Sequence, residues 1–186
     1  AVYGFSVECG TGVEFDNCIA FGNLATSGDC HGFNFSAGSG GNANKPMIRN
    51  SKALSNEGSS DVYGFKLVAS SYALLEGCDA SNQSTTNTAG SSYGFYSSGG
   101  TANTFKLCNA NNNQAGTNSG TAAGFILTGG EFHSNILESE SSSNYGNGGT
   151  GYGIFLSTTT ACTIQKNKLY VNNGTTGGYG ILDNNS

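Results

Sequence analysis

Acid–base chemistry on a glycosidic bond needs two or three carboxylates that converge without a cation between them. Glu138 and Glu140 stand two residues apart, which would put both on one strand face, and Glu131 lies just upstream on a loop. These three form the candidate catalytic cluster. The two histidines have no metal-site spacing: His31 takes a position otherwise filled by tyrosine, and His133 falls in a loop segment. Calcium-loop and phosphate-loop patterns are missing, so neither a metal nor a cofactor is expected. Six cysteines invite a disulfide reading, but Cys18, Cys78 and Cys108 recur at one repeat position where other copies use Ser or Asn. They are expected to be small buried side chains, with Cys78 and Cys108 one rung apart. Cys9, Cys30 and Cys162 fall outside that position and find no obvious partner.

Charge removes several classes of partner. The chain has 12 acidic and 7 basic residues, a net charge of −5 and one arginine, Arg49. So few cations cannot neutralise a run of phosphates, and nucleic acid is not expected as a partner. There is no apolar run of about 20 residues, so membrane insertion is not expected either. With 30 Gly and only 10% charged residues the composition could belong to a disordered chain, yet 11 Phe and 9 Tyr recur in step. That regularity argues for order.

The elements that must position these residues are repeats. A Tyr-Gly-Phe core returns at Tyr3–Phe5, His31–Phe33, Tyr63–Phe65, Tyr93–Phe95 and Ala123–Phe125, and as Tyr-Gly-Ile at Tyr152–Ile154 and Tyr179–Ile181. The glycines are residues 4, 32, 64, 94, 124, 153 and 180, a period near thirty. A second motif follows in each period. Its apolar position is Phe15, Ile48, Leu75, Phe105, Ile136, Ile164; three residues on come Cys18, Ser51, Cys78, Cys108, Ser139, Asn167. A small position (Ala20, Ala53, Ala80, Ala110, Ser141, then Leu169) precedes an amide position: Asn23, Asn56, Gln83, Asn113, Asn144, Asn172.

Apolar residues alternate with period two around each glycine, and Gly, Ser, Thr and Asn are poor helix interiors. Short strands are therefore predicted, stacked so that each residue lies on its own copy in the next rung. The Phe column should form an internal aromatic stack, and the amide column a corner ladder that also supplies left-handed backbone. Charges following the apolar position alternate in sign (Asp16, Arg49, Glu76, Lys106), as do Lys52 with Asp79 and Glu140 with Lys168, which predicts a register-setting ion ladder. Residues 36–46 and 142–151 are predicted to leave the rung as loops.

These motifs resemble the right-handed parallel β-helix repeat of the pectin-lyase-like superfamily. The closest match runs from GYGIFL at Gly151 through CTIQKNKLYVNN at Cys162 to GYGI at Gly178. The resemblance covers essentially the whole chain and implies an all-β, right-handed parallel β-helix (β-solenoid) of about six rungs; the chain reads as one domain over residues 1–186, and neither AVYGF nor YGILDNNS at its ends reads as an amphipathic cap. It says less about activity, because that superfamily spans lyases, hydrolases, tailspikes and adhesins.

One surface position points beyond architecture. Two residues after each glycine, Ser6, Asn34 and Lys66 give way to Tyr96, Ile126 and Phe155. This outward strip beside the glycines is the candidate binding surface, for sugar rings or for other subunits. The expected function is a structural or adhesive element at an extracellular, cell or virion surface, a rigid fibre, shaft or filament that self-associates end to end or laterally. The alternative is a carbohydrate-active enzyme, a polysaccharide lyase or glycoside hydrolase, or a module that binds a polysaccharide or cell-surface glycan. Ice binding fits poorly, because the threonines form no regular row.

Overall fold

A computed structural model describes residues 1–8, 10–37 and 43–185. Among them there is no helix. The chain winds as a parallel β-solenoid of about six turns, with repeats about thirty residues apart. Each turn contributes one long strand to a seven-stranded sheet, whose members include Cys30–Ser36, Val62–Val68, Ser92–Ser98 and Ala122–Thr128. It then adds a three-residue strand to each of two six-stranded sheets and a two-residue strand to a third. Every named strand pair is parallel and in register, so Tyr63 lies on Tyr93, Phe65 on Phe95 and Leu75 on Phe105.

The register produces the expected columns. Phe5, Phe33, Phe65, Phe95 and Phe125 stack face to face at centroid spacings of 4.7, 4.7, 5.1 and 4.8 Å. Phe105, from the facing sheet, meets Phe95 edge-on at 5.8 Å. Each buried ring adds about 1.5–3 kcal/mol through area and about 0.5–1.5 kcal/mol through its aromatic contacts. At the amide corner, Asn23 Nδ2 donates to Asn56 Oδ1 at 2.7 Å and Asn56 Nδ2 to Gln83 Oε1 at 2.9 Å. Asn113 and Asn144 continue the row, each donating to the next amide oxygen at 2.8 Å. The longer Gln83 turns its own amide to Ala53 O and Ser81 O, and its backbone N–H takes up the Asn113 oxygen.

Several sequence expectations need correction. The ladder amides do not themselves carry the left-handed backbone; the residue before each does, at Gly22, Ser55, Asn82, Asn112, Ser143 and Val171. Three more corners repeat this, at Asn17, Asn50, Gly77, Leu107, Glu138 and Lys166, at Lys45, Tyr72, Ala102, His133 and Ala161, and at Ala69, Gly99, Gly129 and Thr158. A β-branched residue such as Val171 adopts φ 54° at a cost of about 1–2 kcal/mol, which the stacked turns must offset. Residues 142–151 stay within the rung, where Tyr145–Gly146 pairs with Gln114 and Ala115. Of the longer 36–46 segment, residues 38–42 lie outside the described residues, and Ala43–Asn44 pairs with Ser70–Ser71.

Two-residue alternation with the outward strip would put the glycines on the outer face, but they face inward. A Cβ on Gly64 would point inward, 2.7 Å from the Ala80 Cβ and 2.6 Å from Gly94 O. The same contact recurs between Gly4 and Ala20, Gly32 and Ala53, and Gly94 and Ala110. Glycine therefore sets how closely the long sheet approaches the alanine-bearing sheet. With Tyr63 on the outside and both Gly64 and Phe65 inside, the strand is locally bulged at this point. Gly64→Ala is expected to lower unfolding free energy by about 1–3 kcal/mol in urea titration. Adding Ala80→Gly should restore only part of it, because the contact with the Gly94 carbonyl remains.

The ion ladder forms in part. Glu76 lies between Arg49 at 3.8 Å and Lys106 at 3.4 Å. Asp16 instead accepts from Asn50 Nδ2 at 3.1 Å. Lys52 over Asp79 and Glu140 over Lys168 are in register, but neither pair closes to an ion pair among the described residues. The described cysteines, 18, 30, 78, 108 and 162, are all free thiols, and Cys9 lies outside the described residues. Burial pushes the Cys108 thiol well above its ordinary pKa.

Candidate functional site

The acidic trio does not converge. Glu138 sits exposed at a left-handed corner, its Oε1 3.4 Å from Lys166 Nζ, while Glu140 begins the next strand around the bend. Glu131 is inside the solenoid and fully buried. Its Oε1 accepts from the Ser97 hydroxyl at 2.5 Å and from the Gly100 N–H at 3.0 Å, and its Oε2 from the Ser134 hydroxyl at 2.6 Å. Asn103 Nδ2 reaches both oxygens at 3.5 Å and donates to Ser70 O at 2.8 Å. A carboxylate so enclosed cannot touch an external substrate; it pins a corner across three turns. The sequence carried a sign of this. The inward position of the long strand is Val7, Phe35, Leu67, Ser97, Leu127, Leu156, and serine stands where the Glu131 carboxylate enters.

Glu131→Ala would leave the Ser97 and Ser134 hydroxyls and the Gly100 N–H unpaired beside a cavity. It is expected to lower stability by about 3 kcal/mol in chemical denaturation, and Glu131→Gln by less.

The surface with chemical content is the outer face of the seven-stranded sheet. Two columns of large side chains run along it. One is Tyr3, His31, Tyr63, Tyr93, Ala123, Tyr152 and Tyr179; the other is the predicted strip, from Ser6 and Asn34 through Lys66, Tyr96, Ile126 and Phe155 to Leu182. The local bulge puts both on one side, so Tyr96 meets Tyr63 at 5.2 Å and Tyr93 at 5.6 Å, and Phe155 meets Tyr152 at 5.0 Å. Tyr96 and Phe155 are half-exposed, whereas Ile126 is only 5% exposed and lies flush beside the fully buried Ala123. The predicted strip is thus two aromatic groups separated by one low rung. The tyrosine column, which sequence reasoning used only to count repeats, adds exposed rings at Tyr3 and Tyr179 and half-buried ones at Tyr93 and Tyr152, while His31, Tyr63 and Ala123 are buried.

Polar columns flank these on both sides. Asp29, Asp61, Ser91, Thr121 and Thr150 each precede the first inward residue of their strand. Asp61 N–H donates to Asp29 Oδ1, Ser91 N–H to Asp61 Oδ1 and Thr121 N–H to Ser91 Oγ, at 3.3, 2.9 and 3.2 Å. On the far side run Ser36, Ser98, Thr128 and Ser157, with Val68 as an apolar member between Ser36 and Ser98. Lys66 Nζ stands 4.0 Å above the Tyr63 ring, a cation–π contact, and the Tyr63 hydroxyl donates to Asp61 Oδ2 at 3.3 Å. Burial lowers the Lys66 pKa against the opposing pull of Asp29 and Asp61, and raises that of Tyr63. Burial pushes Tyr93 up to about 12.

His31 is stacked between Tyr3 at 4.8 Å and Tyr63 at 5.0 Å and is 3% exposed, with no partner for its Nδ1. Burial, with Lys66 adding to it and Asp29 opposing, lowers its pKa from 6.5 to about 4. The unfolded chain therefore binds this proton first as pH falls. The stability from His31 is complete above pH 6.5, is lost progressively between 6.5 and about 4, and amounts to about 3 kcal/mol. His31→Tyr, which restores the column residue, should flatten that part of a stability-against-pH curve.

No family model matches the chain, and no curated protein is similar to it. Its class is therefore defined by architecture: a parallel β-solenoid with a filled interior and an aromatic outer face. Among the described residues no group of histidine, cysteine and acidic side chains could hold a metal ion.

Proposed function

We propose that the chain is a structural and adhesive β-solenoid, a stiff segment of a surface-exposed fibre or shaft that makes its contacts through the outer face of the long sheet. The observation that carries this reading is the pair of aromatic columns, with Tyr93 and Tyr96 on one rung and Tyr152 and Phe155 two rungs further on, all partly exposed on either side of the low Ala123–Ile126 rung. An interior packed with stacked rings and bonded amides supports the stiffness. A place within the pectin-lyase-like superfamily is part of the same proposal and rests on the repeat motif.

Contact through the side of the rod, on the long-sheet face, is the mode this reading favours, since the aromatic groups gather there.

The second reading is a carbohydrate-active enzyme. It draws support from Asp29, Asp61, Tyr63 and Lys66 lying together on the same face. Sedimentation and glycan binding of the chain, compared with Tyr96→Ala plus Phe155→Ala, test the main reading. Loss of self-association or of glycan binding in the double variant is expected; no change in either would sink it. Release of new reducing ends from a polysaccharide, abolished by Asp61→Asn, would favour the enzyme.

A further inference from the structure

We propose that the aromatic face takes an uncharged polysaccharide, with the sugar chain lying along the solenoid axis. This rests on the reading that the long-sheet face is the contact surface, and adds which occupant it fits. Four features of the face select the ligand. Its centre is aromatic and its two margins carry hydroxyls: Ser91, Thr121 and Thr150 on one side, Ser98, Thr128 and Ser157 on the other. A pyranose ring has the matching profile, an apolar C–H face with hydroxyls around its edge.

The aromatic groups repeat along the axis. Tyr93 and Tyr152 stand two rungs apart, about 10 Å, with Ala123 lowering the surface between them. An extended chain could therefore place a ring on each tyrosine and span the low rung between. A ligand crossing the axis would meet only one aromatic pair.

Charge excludes the acidic polymers. Asp29 and Asp61 line one margin, the chain carries −5 overall, and the Lys66 ammonium lies against the Tyr63 ring. A polyuronate would meet two carboxylates with little to balance them. Hydrogen bonding argues against an extended peptide or a second copy. The backbone groups of this sheet are paired within it, so a peptide finds no ladder to join, and an apolar partner would desolvate the marginal hydroxyls without replacing their bonds.

The test is affinity electrophoresis of the full chain through gels containing soluble β-1,4-linked glucan, mannan, xylan or polygalacturonate, with sedimentation velocity alongside. At least one neutral polymer should retard the protein, equally with and without added salt. Tyr93→Ala and Tyr152→Ala should each weaken retardation about tenfold, and Thr121→Val, which removes one marginal hydroxyl and leaves the rings in place, should weaken it less. Retardation by polygalacturonate alone, abolished by salt, would overturn the proposal. If no glycan retards the protein and the tyrosine variants change its sedimentation, the occupant is a second copy: this proposal fails and the contact-face reading stands. If the variants change neither property, both fail.

Discussion

In-register stacking of parallel rungs is the constraint from which the rest of this molecule follows. Backbone groups of each turn bond to the next, as in Asp79 N–H to Ser51 O and Asn109 N–H to Cys78 O, so a residue's nearest neighbours are its own copies one turn away. A side chain is then tolerable only if it packs well on itself. Phenylalanine stacks on phenylalanine, asparagine bonds to asparagine, and glycine stays glycine because the alanine column leaves no room for a Cβ. Left-handed corners are held at the same place in every turn even where Leu107, Glu138 or Val171 occupies them, because the rungs above and below fix the backbone path.

Departures from the columns come with a partner that absorbs them. Ser97 interrupts a leucine column, and the Glu131 carboxylate fills the space and accepts a hydrogen bond from its hydroxyl. Gln83 is one methylene longer than its neighbours, and its amide finds the carbonyls of Ala53 and Ser81. Ser141 stands in the alanine column and donates to Gly153 O while accepting from Asn144. His31 replaces a tyrosine and keeps the stack with a neutral ring whose charged form is disfavoured by burial. In each case the interior remains filled, and the buried polar groups of Ser97, Glu131, Gln83 and Ser141 meet hydrogen-bond partners, whereas His31 keeps an unpaired Nδ1.

The outer face obeys the same register under a looser condition, since side chains there need not match. That freedom lets Lys66, Tyr96, Ile126 and Phe155 follow one another in a single column, and lets acids gather at Asp29 and Asp61 while hydroxyls occupy the later rungs. The repeating interior supplies a regular in-register platform, and the variable exterior supplies whatever chemistry the platform presents.

What the amino-acid sequence determined by itself is the repeat: its period, its strand content, the phenylalanine and asparagine columns and the position of the outward strip. These are legible because stacking forces similarity at fixed spacing, and similarity is visible in a linear string. Three things were decided only in three dimensions. The bulge at Tyr-Gly-Phe turned the tyrosines outward and the glycines inward, against a simple two-residue alternation. Glu131 moved from a presumed surface cluster into the core, because its partners Ser97, Gly100, Asn103 and Ser134 come together only when the corner closes. The aromatic strip gained a second column and lost Ile126 as an exposed member, since exposure depends on how neighbouring rungs lie over a residue, which spacing alone does not encode.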